Sequence, residues 1–202
     1  MYNNTVVVFL SDNGGYFNGN VSINAPFRAK EHPVRRGNTC SVRYLLSGEF
    51  KAGTVYDKPV ISLDIRPTII GLAGGEISDK DRITGVNLLP YIRRTDNNMP
   101  HDYLMWNYGG YSAIRHGDLK MINMPYKFPL LFDLSKDISE KNDIALKMKR
   151  MADMMIEKLG LWNMYCPEPL FHQGNGQKLE IRKQYDEVSP PQPGTQVRKL
   201  NH

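Results

Sequence analysis

The sequence has little cysteine and no long apolar run, and each absence excludes a class of protein. Two cysteines, Cys40 and Cys166, occur in 202 residues. They are too few for a cysteine-based metal site, and their spacing leaves open one disulfide or two free thiols. No apolar stretch approaches the roughly 18 residues that a membrane-spanning helix requires. The first residues lack the regions of a signal peptide, and because they run directly into a strand we expect preceding sequence to be missing.

A strong excess of one charge is also absent. The net charge is +5 with a pI near 9.1, and the basic residues are scattered along the chain. A nucleic-acid-binding protein usually gathers basic residues on one face beside aromatic residues, so no nucleic-acid partner is predicted. The mild excess of positive charge suits an anionic small molecule or a sugar ligand equally well. The composition, 41% hydrophobic and 23% charged, is that of an ordinary globular chain.

The strongest local signal lies near the start of the chain, where residues 5–10 read TVVVFL. Such β-branched runs are typical of a strand buried on both faces, as in a parallel sheet covered by helices. The run ends at Asp12 and Asn13, and in α/β sheets ligands bind beyond the carboxyl ends of strands. Their carboxylate and amide oxygens suit Ca²⁺ or Mg²⁺. A plain Asn-Gly turn without a ligand explains the same residues, so the spacing alone leaves both interpretations open.

A second candidate is the segment NAPFRAK, residues 24–30, inside a long irregular loop. Lys30 has the chemistry of a point charge for sulfate or phosphate oxygens. A solvated loop without a ligand is the alternative. The five histidines show no metal-ligand spacing, and His116 falls in a predicted turn, where we expect a structural role.

The remaining pattern predicts an α/β fold. A strand is expected at residues 42–46, a helix at 61–72 ended by Gly74 and Gly75, and a short helix from Val86 that fades in the polar run 93–98. Four short strands then indicate an antiparallel meander at residues 103–107, 111–116, 119–123 and 129–133. An amphipathic helix over residues 144–159, ended by Gly160, follows with its methionines facing a core.

These elements predict part of a mixed sheet flanked by helices, plus a small C-terminal antiparallel sheet with one packed helix. We expect three segments. Residues 1–98 form a main α/β part that carries Asp12, Asn13 and Lys30. Residues 99–165 form an α+β subdomain, and residues 166–202 form an extended or poorly ordered tail, because they are polar and rich in Pro, Gly and Gln.

Taken in order, several segments resemble the C-terminal half of the sulfatase family, in the alkaline-phosphatase-like superfamily. The strand with Asp-Asn-Gly resembles the family's late metal motif, and residues 24–30 resemble its Asn-x-Pro-x-Arg-x-x-Lys loop with one residue fewer. Further downstream, the matching segments are residues 51–68, 84–90, 111–120 and 131–142.

The resemblance implies an alkaline-phosphatase-like fold and a divalent metal, usually calcium, with Mg²⁺ as the alternative. In the family, the late Asp and Asn complete a site begun by acidic residues near the N-terminus, so Asp12 and Asn13 are the implied ligands here. The family's loop lysine contacts the substrate sulfate, so Lys30 is the implied substrate-binding residue. A metal-bound formylglycine attacks sulfur in the family, and full-length members are periplasmic, secreted or lysosomal.

Two departures from the family pattern bear on activity. The nucleophile motif, Cys or Ser-x-Pro-x-Arg, is absent from the sequence, and neither Cys40 nor Cys166 has its Pro and Arg context. No catalytic residue is therefore assigned to this chain. The family's Glu-Gly-Gly-x-Arg-x-Pro segment is replaced by RRGNTCS at residues 35–41, which bears on how the loop packs and on which substrates fit.

The implied function is metal-dependent hydrolysis of sulfate esters, with sulfated sugars among the candidate substrates. This chain would be a C-terminal piece that is inactive alone, and its partner would be the missing N-terminal half. One alternative is a non-catalytic remnant that binds sulfated glycans or a partner half. Another is a hydrolase of the same superfamily that acts on phosphate or phosphonate esters.

Overall fold

The computed structural model describes residues 4–11, 27, 43–45, 50–108, 110–125 and 127–167. The chain divides into two compact units. The first comprises Met1–Asp12 with Cys40–Leu104, and the second comprises Asn13–Thr39 with Met105–His202. Within the described residues, no helix combines the length and the apolar character needed to cross a membrane. Cys166 carries a free thiol, and Cys40 lies outside the described residues.

The first unit contains a two-stranded sheet. Strand β1 (Val7–Phe9) pairs antiparallel with β2 (Arg43–Leu45), with Val8 opposite Tyr44. Both strands fall where the sequence predicts them. The expected burial of β1 on both faces is wrong for the described structure, because Val7 and Phe9 are 51% and 67% exposed. Among the described residues, β1 has β2 as its single partner strand, and an antiparallel pair is compatible with the mixed sheet that the sequence predicts.

Two helices follow in the same unit. A 3-10 turn, Ser62–Asp64, leads into α1 (Ile65–Leu72), which confirms the predicted helix and shows that its first turn is tighter than an α-helix. Pro67 fits because the first helical turn leaves backbone N–H groups without helical partners. Gly74 (φ +73°) then takes the left-handed conformation that ends the segment. Helix α2 (Leu89–Ile92) is the predicted short helix and begins three residues after Val86.

The segment before α2 packs tightly on α1. A side chain at Gly85 would overlap the carbonyl oxygen of Leu63, and one at Gly71 would overlap the amide of Asn87. The two glycines therefore permit a backbone approach that any larger residue would prevent. These contacts fix Gly85 against the 3-10 turn before α1, and Asn87 against the C-terminal end of α1.

The second unit contains the predicted meander. Strands β3 (Leu104–Tyr108), β4 (Tyr111–His116), β5 (Leu119–Met124) and β6 (Lys127–Asp133) form a four-stranded sheet in that order. The β4–β5 and β5–β6 pairs are antiparallel. Contrary to the prediction, His116 does not lie in the turn. It is the last residue of β4, where it pairs with Leu119 of β5.

Helix α3 (Lys149–Asn163) packs on β4, β5 and β6. The sequence predicts that this helix begins at residue 144, five residues before its observed start. In the structure, the N–H of Ile144 donates to the carbonyl of Leu131 in β6 (2.8 Å), and this residue does not start the helix. The predicted stop at Gly160 is also wrong. The N–H of Met164 donates to the carbonyl of Gly160 (3.2 Å), so the helical ladder continues through the glycine.

The core of the second unit lies on both faces of its sheet. Met155 and Leu159 of α3 are buried, which confirms part of the predicted methionine stripe, whereas Met148 is 37% exposed. Alternate positions of the strands form a separate cluster of buried apolar residues, as the two-residue period of a strand requires. Its members are Tyr111, Ala113, Ile122, Met124, Leu130 and Phe132.

Candidate functional site

The residues that the sequence singles out for chemistry, Asp12, Asn13 and Lys30, lie outside the described residues. What is described of their surroundings is β1, which ends three residues before Asp12. Among the described residues, no group of three or more His, Cys, Asp or Glu side chains is arranged to hold a metal ion. The metal assignment therefore stays a prediction from the family resemblance, with donor atoms that suit a hard cation such as Ca²⁺.

The most elaborate polar arrangement of the first unit surrounds Asp64, whose side chain is fully buried. One carboxylate oxygen accepts a hydrogen bond from the N–H of Ile61 (2.9 Å), and the other accepts one from the N–H of Val86 (2.9 Å). Through its bond to the N–H of Ile61, Asp64 stabilises the turn that begins the helix. The same carboxylate also binds the N–H of Val86, which lies 22 residues further along the chain.

His101 completes this arrangement. Its Nε2 lies 2.9 Å from both carboxylate oxygens of Asp64, and its side chain is 12% exposed. Sequence reasoning missed the pair because its search for histidine sites used short ligand spacings, and these partners are 37 residues apart. We find no local signal in the sequence that would have revealed it.

Two neighbours extend the contacts of Asp64. The Thr68 hydroxyl donates to the backbone carbonyl of Asp64 (2.6 Å) and accepts from the N–H of Leu88 (3.0 Å). Burial raises the pKa of Tyr44, and the negative charge of Asp64 raises it further. The carboxylate of Asp64 is wholly enclosed, and it links the turn at Ile61 to Val86 and His101.

The β4–β5 hairpin of the second unit contains the family-like residues Arg115, Gly117 and Lys120. The Arg115 Nε donates to the carbonyl of Gly117 (2.7 Å), and Gly117 adopts φ +57° in the turn. Burial lowers the pKa of Arg115, and Asp118 partly offsets this. Lys120 is 1% exposed and forms an ion pair with Glu140, which is 3% exposed. These residues therefore build the hairpin and its core.

Two acidic residues, one at the end of β6 and one after it, are likewise used in turns. Asp133 accepts hydrogen bonds from the N–H (3.1 Å) and the hydroxyl (2.5 Å) of Ser135. One oxygen of Asp137 accepts from the N–H groups of Lys141 (2.8 Å) and Asn142 (2.7 Å). The segments downstream of residue 50 that carry the family resemblance thus supply the frame, and the candidate chemistry stays with Asp12, Asn13 and Lys30.

The α/β first unit and the antiparallel sheet with its packed helix define the class of protein as alkaline-phosphatase-like. Three solved structures share this fold. Ps i-CgsB is 26% identical with a TM-score of 0.74, over 91% of this chain and 42% of its own. It has also been solved in complex with k-i-k-neocarrahexaose. BT4656 has been solved in complex with its substrate D-glucosamine-2-N,6-O-disulfate. It is 19% identical with a TM-score of 0.59, over 95% of this chain and 36% of its own.

Curated relatives of the chain are sulfatases. The sulfatase YdeN of Escherichia coli (strain K12) is 29% identical over 106 residues, which are 52% of this chain and 19% of that protein. Arylsulfatase K of Danio rerio is 28% identical over 164 residues, 71% of this chain and 28% of that protein. No family model matches the sequence. These relatives and the solved structures support a sulfatase family for the chain, which spans less than a third of the length of either relative.

Proposed function

We propose that this chain is the C-terminal portion of a sulfatase that hydrolyses sulfate esters of sugars. The observation that carries the proposal is the likeness to Ps i-CgsB, which extends over 91% of this chain. The complex of that protein with k-i-k-neocarrahexaose and the substrate of BT4656, a glucosamine disulfate, favour a sulfated carbohydrate as the substrate class.

In this proposal, Asp12 and Asn13 are the late ligands of a divalent cation, with Ca²⁺ as the best fit to their oxygen donors. The bound cation supplies charge stabilisation to sulfate oxygens during hydrolysis. Lys30 provides a second positive charge that binds and orients the sulfate group. The other metal ligands and the nucleophile are assigned to polypeptide that is not in this sequence, because the family's nucleophile motif does not occur here.

The experiment is hydrolysis of an aryl sulfate by the purified chain with CaCl₂, with the Lys30→Ala variant as control and an aryl phosphate as a second substrate. We expect no turnover above the control, because the nucleophile is absent. Sulfate release well above that of Lys30→Ala would contradict the assignment of the nucleophile to another polypeptide. Preferential hydrolysis of the phosphate would instead place the chain among phosphate-ester hydrolases of the same superfamily.

A second candidate function is non-catalytic binding of sulfated glycans, favoured by the same absence of a nucleophile motif. The two candidates differ once the missing part of a sulfatase is present. A catalytic portion restores hydrolysis in such a mixture, whereas a binding remnant retains a sulfated oligosaccharide and releases no sulfate.

A further inference from the structure

Helix α3 is apolar on two sides, and only one of them is buried. On the side that packs on the sheet, Met155 and Leu159 are enclosed. The other side and the residues next to the helix ends carry large apolar side chains that are exposed. They are Leu146 (81%), Met154 (47%), Leu161 (57%) and Tyr165 (88%). A helix that is apolar on two sides is normally covered on both, so this exposed patch has the composition of an interaction surface.

Two charged residues divide the exposed patch. Arg150 and Glu157 are both exposed, and because they are seven residues apart they lie on one side of the helix, separated by about 10 Å along its axis. Among the described residues, neither has an ion-pair partner, whereas the neighbouring Lys149 is paired with Asp153. We call the two charged residues and the four exposed apolar residues together the outer face of α3.

The order of these residues is self-complementary. Two copies of α3 that run antiparallel, with a two-fold axis beside Met154, place Arg150 of each copy opposite Glu157 of the other. The same register brings the two Met154 side chains together and directs Leu161 of one copy towards Leu146 of the other. In a two-fold interface every such contact is made twice, so one pair of charges in the sequence supplies two ion pairs.

We propose that the outer face of α3 is the docking surface for a second copy of this chain, paired antiparallel and centred on Met154. A partner of one charge, such as a polyanion, does not match a surface that carries one cation and one anion. A parallel pair of helices would place like charges side by side, which is unfavourable. This inference does not depend on the proposed function.

The first test is sedimentation equilibrium of the full chain at concentrations up to about 200 µM, because a single pair of helices lies at the low end of specific interfaces. We expect the wild type to form dimers. Arg150→Glu and Glu157→Arg should each dimerise at least about tenfold more weakly, because each replaces two attractions by two repulsions. Lys80→Glu is the matched control. It changes the net charge as Arg150→Glu does, at an exposed position of the first unit, and should dimerise like the wild type.

The second test mixes the two single variants. Arg150→Glu carries two acidic residues at the paired positions and Glu157→Arg carries two basic ones, so each repels itself and attracts the other. We expect the mixture to form heterodimers with an affinity near that of the wild type. The double variant Arg150→Glu/Glu157→Arg should likewise dimerise as the wild type does, because the exchange keeps both ion pairs.

Leu161→Glu probes the apolar part of the surface without changing either paired charge. We expect it to keep the urea midpoint of the wild type, since this residue is exposed in the single chain, and to dimerise at least about tenfold more weakly. A monomeric wild type would overturn the proposal. So would dimers that tolerate Leu161→Glu or both charge reversals, and so would single variants that stay monomeric when mixed, because cover by another segment does not depend on a second copy.

Discussion

Among the residues that the structure describes, each unit buries a pair of ionisable side chains, and the two pairs are built differently. In the first unit, the Asp64 carboxylate is held by two backbone N–H groups as well as by His101. In the second unit, a lysine and a glutamate, Lys120 and Glu140, are almost wholly enclosed together. Backbone donors support a buried carboxylate even if one side chain is lost, whereas a buried ammonium and carboxylate depend on each other.

The largest predicted effect is therefore in the second unit. Lys120→Met leaves the carboxylate of Glu140 buried without its cation, and we expect a loss of about 3–5 kcal/mol in the free energy of unfolding. The double variant Lys120→Met/Glu140→Leu should recover most of this loss. Both tryptophans, Trp106 and Trp162, lie in this unit, so urea unfolding followed by tryptophan fluorescence reports on it.

Lys136→Met is the control for this prediction, because Lys136 is 83% exposed in its pair with Asp133. We expect it to change stability by less than about 0.5 kcal/mol. Equal effects of Lys120→Met and Lys136→Met would show that the buried pair does not support the second unit.

The next effect concerns Asp64. Asp64→Asn replaces an acceptor oxygen by an N–H₂ group beside a backbone donor, and we expect a local loss of about 1.5–3 kcal/mol. Hydrogen exchange by mass spectrometry should show faster exchange in peptides that contain Ile61 and Val86. His101→Gln should have a smaller effect because glutamine retains an N–H donor. Asp79→Asn, at an exposed position, is the control, and similar exchange in both variants would contradict the role of Asp64.

Two glycines should respond in opposite directions to the same substitution. Gly85→Ala would place a methyl group against the Leu63 carbonyl, and we expect a loss of about 1–3 kcal/mol. Gly160 has no atom within 4 Å of an added side chain and lies inside α3. Gly160→Ala should therefore stabilise the second unit by about 0.5–1 kcal/mol. Thermal unfolding of the two variants checks the signs, and a stabilising Gly85→Ala would refute the close contact of Gly85 with the Leu63 carbonyl.

The smallest effect is the pH response of Asp133. Hydrogen bonds from Ser135, followed by Lys136, lower the pKa of this exposed carboxyl below its ordinary value. Its contribution to stability is therefore present above the pKa of the unfolded chain and is lost as pH falls through the lower, folded value. Ser135→Ala should move the pKa upwards in a carboxyl-carbon NMR titration, and an unchanged titration would contradict the assigned cause.

The contrast between the two units also explains what could be predicted from the sequence. The β4–β5 hairpin and α3 follow from local signals, namely the turn at Gly117 and the apolar spacing that includes Met155 and Leu159. The buried pairs were not predicted, because Asp64 and His101 are 37 residues apart and Lys120 and Glu140 are 20 apart. A charged residue has the same appearance in a sequence whether it is enclosed or solvated.

The start of α3 shows a second limit on what the sequence could predict. The apolar spacing predicted a helix from Ile144, but a backbone hydrogen bond to β6 holds that residue outside it. The spacing of apolar residues does not reveal a tertiary hydrogen bond of this kind.

The functional assignment of Asp12, Asn13 and Lys30 came from the order of motifs. It stays a prediction because these residues lie outside the described part of the chain.

The central claim is most directly tested by the sulfate dependence of sugar binding. Calorimetric titration with sulfated and desulfated neocarrahexaose, in CaCl₂, compares the wild type with Lys30→Ala. We expect measurable binding of the sulfated sugar by the wild type, weaker binding of the desulfated sugar, and loss of that difference in Lys30→Ala. Equal binding of both sugars by the wild type, or a sulfate preference that survives in Lys30→Ala, would contradict the account.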